Sequence, residues 1–417
     1  MIAIAKKIKS NLTTAHLFMI SGVLVNGGNY VYNLLLGRFL GPEKFADAAV
    51  LVTFLLVLSF VAMTFQLVTA KFSVLFEASI FKAFASNMYK KSVLTGIVLG
   101  LLIVFFASEL QTFFKTSTAT IFIVFGIGVP FYFIMSVNRG VFQGKQQLVS
   151  LSVTYQAEMI SRLLITLALL YFLQIESSLL IALGILASFL CGLIPFDFKN
   201  TAWKSTNVLT KTQSKLVRNF FIITAFYELT QIIINNSDIL LVKHYFESYD
   251  AGLYASLALI GRVVYFIAWM FVMLLLPTVV KLHKEGKNTV PILLKYVTYI
   301  GGIATIIIIG CVIFPTQIVT ILFGKSYLAI TPLLWKYALA TGIFAISNIF
   351  AYYYLSLDKY IPVVLSGIFG MLQIVLVVFF HENLAQVVHV QIIAMILLLI
   401  VQLSFFFYEH KFRSPRS

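Results

Sequence analysis

The sequence predicts an all-α polytopic membrane protein with about twelve transmembrane helices in two pseudo-symmetric six-helix bundles. Three observations carry that expectation. Apolar side chains make up 60% of the 417 residues and charged ones 11%, and the mean hydropathy is +0.98, a balance that needs lipid as its solvent. Apolar windows of roughly 20 residues, the length that crosses a bilayer, recur along the whole chain. Each half also opens with a long apolar stretch, a short acidic turn and a second long apolar stretch. Internal repeats of this kind are how transporters build two bundles around a central site. In lipid the backbone must satisfy its own polar groups, so helices are the expected element, and no alternating barrel pattern is visible.

The windows fall at 15–39, 46–69, 91–110, 118–142, 148–173 and 178–197 in the first half. Those of the second half fall at 217–243, 250–280, 290–314, 328–355, 361–380 and 386–408. The bundles are therefore expected over 1–198 and 216–417, joined by a polar, basic linker over 199–215. That linker and the segment from Lys71 to Lys91, where Phe72, Leu75, Phe76, Ile80 and Phe84 recur near helical spacing, read as connectors lying on the membrane surface. Sliding the second half back by 206 positions puts Asn235 on Asn29 and the turn Glu247–Tyr254 over Gly41–Ala48. Pro130, inside the fourth window, removes a backbone bond and should kink that span. Gly96 with Gly100, and Gly37 with Gly41, provide small residues at four-residue spacing for close helix approach.

A net charge of +15 raises nucleic acid as a partner, but the placement of the charge argues against it. With the N-terminus inside, about 22 Lys and Arg residues fall on one side of the membrane and about 6 on the other, the asymmetry that marks the cytoplasmic face. Both termini are expected to be cytoplasmic. The first apolar stretch lacks a small-residue cleavage site and reads as a retained span. Cys191 and Cys311 fall within apolar segments and read as buried small residues, not a disulfide or metal pair.

The first hairpin carries the sharpest motif. An apolar helix runs to Gly37-Arg38, Gly41-Pro42 makes the turn, Glu43, Lys44 and Asp47 follow, and a second helix begins. Glycine can take backbone angles other residues avoid, and proline suits the first position of a helix. The run Gly37-Arg38-Phe39-Leu40-Gly41-Pro42-Glu43, closed by the aromatic Phe45, resembles the signature of the polysaccharide flippases (Wzx-like), members of the multidrug/oligosaccharidyl-lipid/polysaccharide exporter superfamily. The resemblance implies two six-helix bundles around a central cavity that opens alternately to either side.

Charged groups at mid-bilayer cost several kcal/mol, so each is a functional candidate. Glu158 and Arg162 stand four apart on one helical face and can neutralise each other, as a fixed part of the bundle or as part of a site. Arg262 has no acid at helical spacing and needs a partner from another helix, water or an anionic substrate. Glu228, Gln231, Asn235 and Asp238 step by three, four and three residues and form one polar stripe, either a hydrogen-bonded seam or a cation or proton site. Asn26 and Asn29, with Tyr30 and Tyr32, make a second polar patch. Tyr352, Tyr353 and Tyr354 are expected to anchor a helix end at the interface.

The resemblance implies the function. It points to a flippase that moves an undecaprenyl-diphosphate-linked oligosaccharide, a repeat unit of O-antigen, capsule or exopolysaccharide, across the bacterial inner membrane. Arg262, Arg162 and Arg139 would attract the diphosphate, with Asn29 and Asn26 beside it. Glu228, Asp238 and Asn235 would take a coupling Na+ or H+, because exporters of the superfamily carry such carboxylates in the C-terminal bundle. The expected partners are the lipid-linked oligosaccharide, membrane lipid and other polysaccharide-assembly proteins. A multidrug or organic-cation antiporter of the same superfamily and a non-transporting subunit of a polysaccharide synthase remain as alternatives.

No catalytic residues, metal site or other cofactor are expected, and the chain reads as a transporter, not an enzyme. Phe323-Gly324-Lys325-Ser326 imitates the end of a phosphate-binding loop, but Val319 stands where that motif needs glycine. The six histidines show no metal-ligand spacing.

Overall fold

A computed structural model describes residues 14–196, 209–357 and 359–412. The described residues are helical and contain no strand. The first helix, α1 (Thr14–Leu75), is broken at Gly41; α2 (Ala78–Phe105), α3 (Ala107–Phe114), α4 (Thr120–Gly144), α5 (Leu148–Phe172) and α6 (Ser177–Gly192) follow. The second half comprises α7 (Lys211–Tyr245), α8 (Ser248–Gly261), α9 (Val263–Lys284), α10 (Val290–Ile313), the short α11 (Pro315–Leu322) with a 3-10 turn, α12 (Thr331–Ser356), α13 (Ile361–Phe379) and α14 (Leu384–Phe412). Among the described residues, ten segments are long and apolar enough to cross a membrane. Division of the first at Gly41, with the shorter apolar helix α6 added, gives the expected twelve.

The described residues form two compact units, one within 1–33 and 54–228, the other within 34–53 and 229–417. The tip of the first hairpin thus belongs with the second half of the chain, and the start of α7 belongs with the first.

The first unit is organised by small residues and phenylalanines. A Cβ added at Gly96 of α2 would stand 2.6 Å from the Pro130 Cα of α4, and one at Gly100 would stand 2.4 Å from the Gly126 carbonyl oxygen. The expected close approach is therefore real, and Pro130 is one of its contact surfaces. The helix α4 runs through Pro130 without interruption. Phe54 packs edge-on against Phe114, Phe122 and Phe125, and Tyr132 stacks on Phe189 at 4.8 Å between ring centres. Such pairs add to the area they bury.

In the second unit α12 is a central helix, buried around most of its circumference by side chains that include Tyr337, Phe344, Ile349 and Phe350. Tyr352, Tyr353 and Tyr354 are buried as well, and Thr289 and Tyr353 share a hydrogen bond of 2.7 Å, so they pack the interior instead of anchoring an interface. The segment 34–53 is held here by several contacts. The Tyr327 hydroxyl donates to the Gly37 carbonyl at 2.7 Å, and Arg38 donates to the Ile321 carbonyl at 2.5 Å. Phe45 packs on Phe323, and Gly252 lies so close to the Pro42 carbonyl that a Cβ would be 1.7 Å from its oxygen. The two turns that the 206-residue offset relates are therefore in contact. Gly41 itself has open space around it, but its φ of 75° and ψ of 171° are a region essentially reserved for glycine.

Two connector expectations change. Residues 71–91 are not a surface-lying helix: α1 ends at Leu75 and α2 begins at Ala78, so the apolar spacing belongs to two spans meeting in a tight turn. Most of the 199–215 linker lies outside the described residues, and 211–215 already form the first turn of the 35-residue α7.

Candidate functional site

The first unit holds a buried cluster of two arginines around one acid. Glu158 and Arg162 lie one turn apart on α5, as their spacing predicts, and Arg139 reaches them from the end of α4. Each Glu158 oxygen takes one guanidinium: Arg139 Nη2 at 2.8 Å on Oε2 and Arg162 Nη2 at 3.0 Å on Oε1. Arg139 also donates from Nε to Thr154 Oγ1 and from Nη2 to the Thr154 carbonyl, both at 3.0 Å, and lies 4.0 Å over the Tyr155 ring. Arg162 donates to Asn29 Oδ1 at 3.2 Å, while its buried Nε has no partner among the described residues. With two cations to one anion, the cluster carries an excess positive charge inside a membrane unit. Lipid supplies no counter-ion there.

The second unit holds a neutral cluster centred on Asp238. Arg262, at the joint between α8 and α9, donates from Nη2 to Asp238 Oδ1 at 2.7 Å, so the partner it needed comes from another helix. Asp238 Oδ2 accepts from Tyr337 at 2.7 Å, Gln391 at 2.8 Å and Tyr254 at 3.1 Å. Arg262 also donates from Nε to the Tyr337 hydroxyl at 3.2 Å and from Nη1 to Asn236 Oδ1 at 3.4 Å. The carboxylate and guanidinium thus satisfy each other, as a buried pair must. A second buried pair, Lys243 with Asp47 at 3.0 Å, lies where the hairpin tip meets the end of α7.

The remaining candidates sit apart from these clusters. Glu228 is half-buried and makes no polar contact with another described residue. Asn235 turns its side-chain amide back to the Gln231 carbonyl at 2.8 Å. Gln231 is buried with neither of its amide atoms bonded among the described residues. Asn26 is exposed. Among the described residues no group of three or more His, Cys, Asp or Glu could hold a metal ion, and Cys191 and Cys311 are unpaired.

Tyr254, Tyr337, Gln391 and Thr154, which complete the two clusters, were not visible as candidates in the sequence. They are uncharged and isolated within apolar helices, and only tertiary packing brings them to the charges. Lys243 gave a fainter signal, a lysine just before an acidic turn.

Taken together, the apolar helical spans, the two compact units and the buried charge clusters within them define a polytopic all-helical membrane protein. A family model for "polysaccharide biosynthesis protein" matches residues 14–283, and the chain belongs to that family. No curated protein matches it in sequence. Among solved structures, the chain is similar to an inward-facing multidrug resistance MATE family transporter of the MOP superfamily. That match has a TM-score of 0.77 at 11% identity and covers 93% of this chain and 96% of the other. It is also similar to the lipid II flippase MurJ in an inward closed conformation, with a TM-score of 0.73 at 16% identity over 94% and 87% of the two chains. A MOP superfamily transporter from Pyrococcus furiosus gives 0.60 at 13% identity over 95% of each. At such identities the likeness establishes the fold, which is the MOP-superfamily transporter fold.

Proposed function

We propose that this chain is a flippase that moves a diphosphate-linked oligosaccharide lipid from the inner to the outer leaflet of a bacterial cytoplasmic membrane. The observation that carries this reading is the buried Arg139–Glu158–Arg162 cluster, in which two guanidiniums share one carboxylate. A diphosphate headgroup bearing sugars cannot cross hydrocarbon unaided, and guanidiniums are the groups best suited to grip phosphate oxygens. Arg162 is the better placed, because its Nε has no hydrogen-bond partner among the described residues. Arg262 is already neutralised by Asp238, so its part in binding is secondary. An organic-cation antiporter would be poorly served by a buried excess of positive charge.

Transport is coupled to Na+ or H+ at Glu228, the intramembrane acid with no polar partner among the described residues. Asp238 serves less well in that role while four donors occupy its oxygens. In vesicles reconstituted with a lipid-linked oligosaccharide, Arg162→Ala should slow outward movement by at least about tenfold, the loss of one charge-assisted contact, with protein level unchanged. Flipping at the wild-type rate would remove the cluster from the mechanism. Glu228→Gln should abolish dependence on the ion gradient, and retained dependence would refute the coupling assignment.

A further inference from the structure

At the end of the first unit that the charge asymmetry predicts to be cytoplasmic, α1, α2 and α7 contribute to a cluster of phenylalanines beside the end of α4. Phe72 lies 5.0 Å from Phe76, 5.5 Å from Phe84 and 6.1 Å from Phe220 between ring centres, and Phe81 lies 6.3 Å from Phe84. A lysine caps each end of this floor. Lys71 Nζ stands 3.7 Å over the Phe220 ring, and Lys145 Nζ stands 5.1 Å over the Phe81 ring. Both lysines are exposed, and neither makes a hydrogen bond or ion pair with another described residue. A ring face holds an ammonium in place by its quadrupole while leaving N–H groups free to donate outward.

The surroundings are one-sided in charge. Over residues 71–91, 141–147 and 211–220 there are eight Lys and Arg residues and a single acid, Glu77. Val74 and Leu75, in the last turn of α1 beside Lys71, are 67% and 59% exposed. Apolar chains next to a fixed pair of unpaired cations match an amphiphile with an anionic head. A soluble anion would use the lysines and leave Val74 and Leu75 without a partner.

We infer that this aromatic-floored basic patch binds the headgroup of an anionic glycerophospholipid of the facing leaflet, with the acyl chains against Val74 and Leu75. The inference does not depend on the transported substrate. It accounts for lysines that lie over aromatic faces without a hydrogen bond or ion pair to another described residue, and for a polybasic cluster at the ends of four spans.

The test uses the full chain in phosphatidylcholine vesicles with a photoactivatable phosphatidylglycerol. Crosslinks should map to 71–91, 141–147 or 211–220 and be competed by unlabelled phosphatidylglycerol, but not by phosphatidylcholine or inorganic phosphate. Lys71→Gln and Lys145→Gln should each weaken competition about fivefold and together about 25-fold, the effect of one lysine near an anionic surface applied once and then twice. The variant with arginine at both positions should retain binding. Raised salt should weaken binding to the wild-type protein, which keeps the test open even if the double glutamine variant fails to fold. Equal competition by phosphatidylcholine, indifference to salt or unchanged binding in a folded double variant would overturn the inference. So would stronger competition by an undecaprenyl diphosphate, which would give the patch to the carrier lipid, or by inorganic phosphate, which would give it to a soluble anion.

Discussion

Asp238 accepts four hydrogen bonds from residues on four other parts of the second unit, so its replacement by asparagine is the most informative single change there. At the 2.7 Å separation of Arg262 Nη2 and Asp238 Oδ1, an effective dielectric of about 20 gives an attraction of about 6 kcal/mol. Part of that is offset, because removing the carboxylate also removes its own desolvation cost. The net loss expected on breaking a buried pair is about 3–5 kcal/mol, since Arg262 remains buried without compensation. The asparagine amide group would also face donors in place of an acceptor. Arg262→Gln should cost a similar amount for the opposite reason. The double variant removes both charges and should cost at least about 2 kcal/mol less than the sum of the two, the coupling of residues in one network. Reversible denaturant unfolding of the purified protein in mild detergent, followed by far-ultraviolet circular dichroism, measures all three. Additive losses would show that the pair is not coupled and would refute the account of this cluster.

Further expectations rest on geometry elsewhere. Tyr337→Phe removes the hydroxyl that donates to Asp238 and accepts from Arg262, and should lower stability by about 1.5–3 kcal/mol, as for hydrogen bonds to charged groups; the same unfolding assay reads it. Gly41→Ala puts a side chain on a backbone held at φ 75° and ψ 171° and should cost about 1–3 kcal/mol, seen as a lower midpoint of thermal unfolding. Gly252→Ala, whose Cβ would meet the Pro42 carbonyl oxygen at 1.7 Å, should loosen the hairpin tip and speed proteolysis there. Gly22→Ala, inside α1 with nothing within 4 Å, should leave proteolysis at the hairpin tip unchanged and should not lower the thermal midpoint, since alanine favours a helix interior over glycine.

Much of the fold was legible because membrane spans announce themselves by length and hydropathy, and because Gly41-Pro42 can hardly be anything but a turn. The Glu158–Arg162 pair followed from spacing alone, since four residues along a helix is one turn. The partners supplied across helices were not legible. Nothing in the sequence around Arg262 points to Asp238, 24 residues earlier on a different helix, or to Tyr337, 75 residues later. The tyrosines at 352–354 misled for a related reason: aromatics near a helix end serve equally well as interface anchors or as interior packing, and only the neighbours decide. The lysine-rich segment after Lys71 read as a surface helix because two successive spans place apolar residues at the same period that one amphipathic helix would.

The pairing of Asp47 with Lys243 bears on the order in which the chain is made. Asp47 is synthesised 196 residues before Lys243, and segment 34–53 packs among elements of the second half, Phe323 and Tyr327 included. An N-terminal half emerging first can assemble α2 to α6, but it holds an acid whose buried counter-charge does not yet exist. Leaving that acid in the bilayer would be costly, so the tip must wait in water or the headgroup layer until α7 arrives. The last step of assembly is then the seating of an early segment into a late unit. The N-terminal half expressed alone should insert into the membrane yet leave Asp47 open to solvent, and co-expression of the C-terminal half should close it.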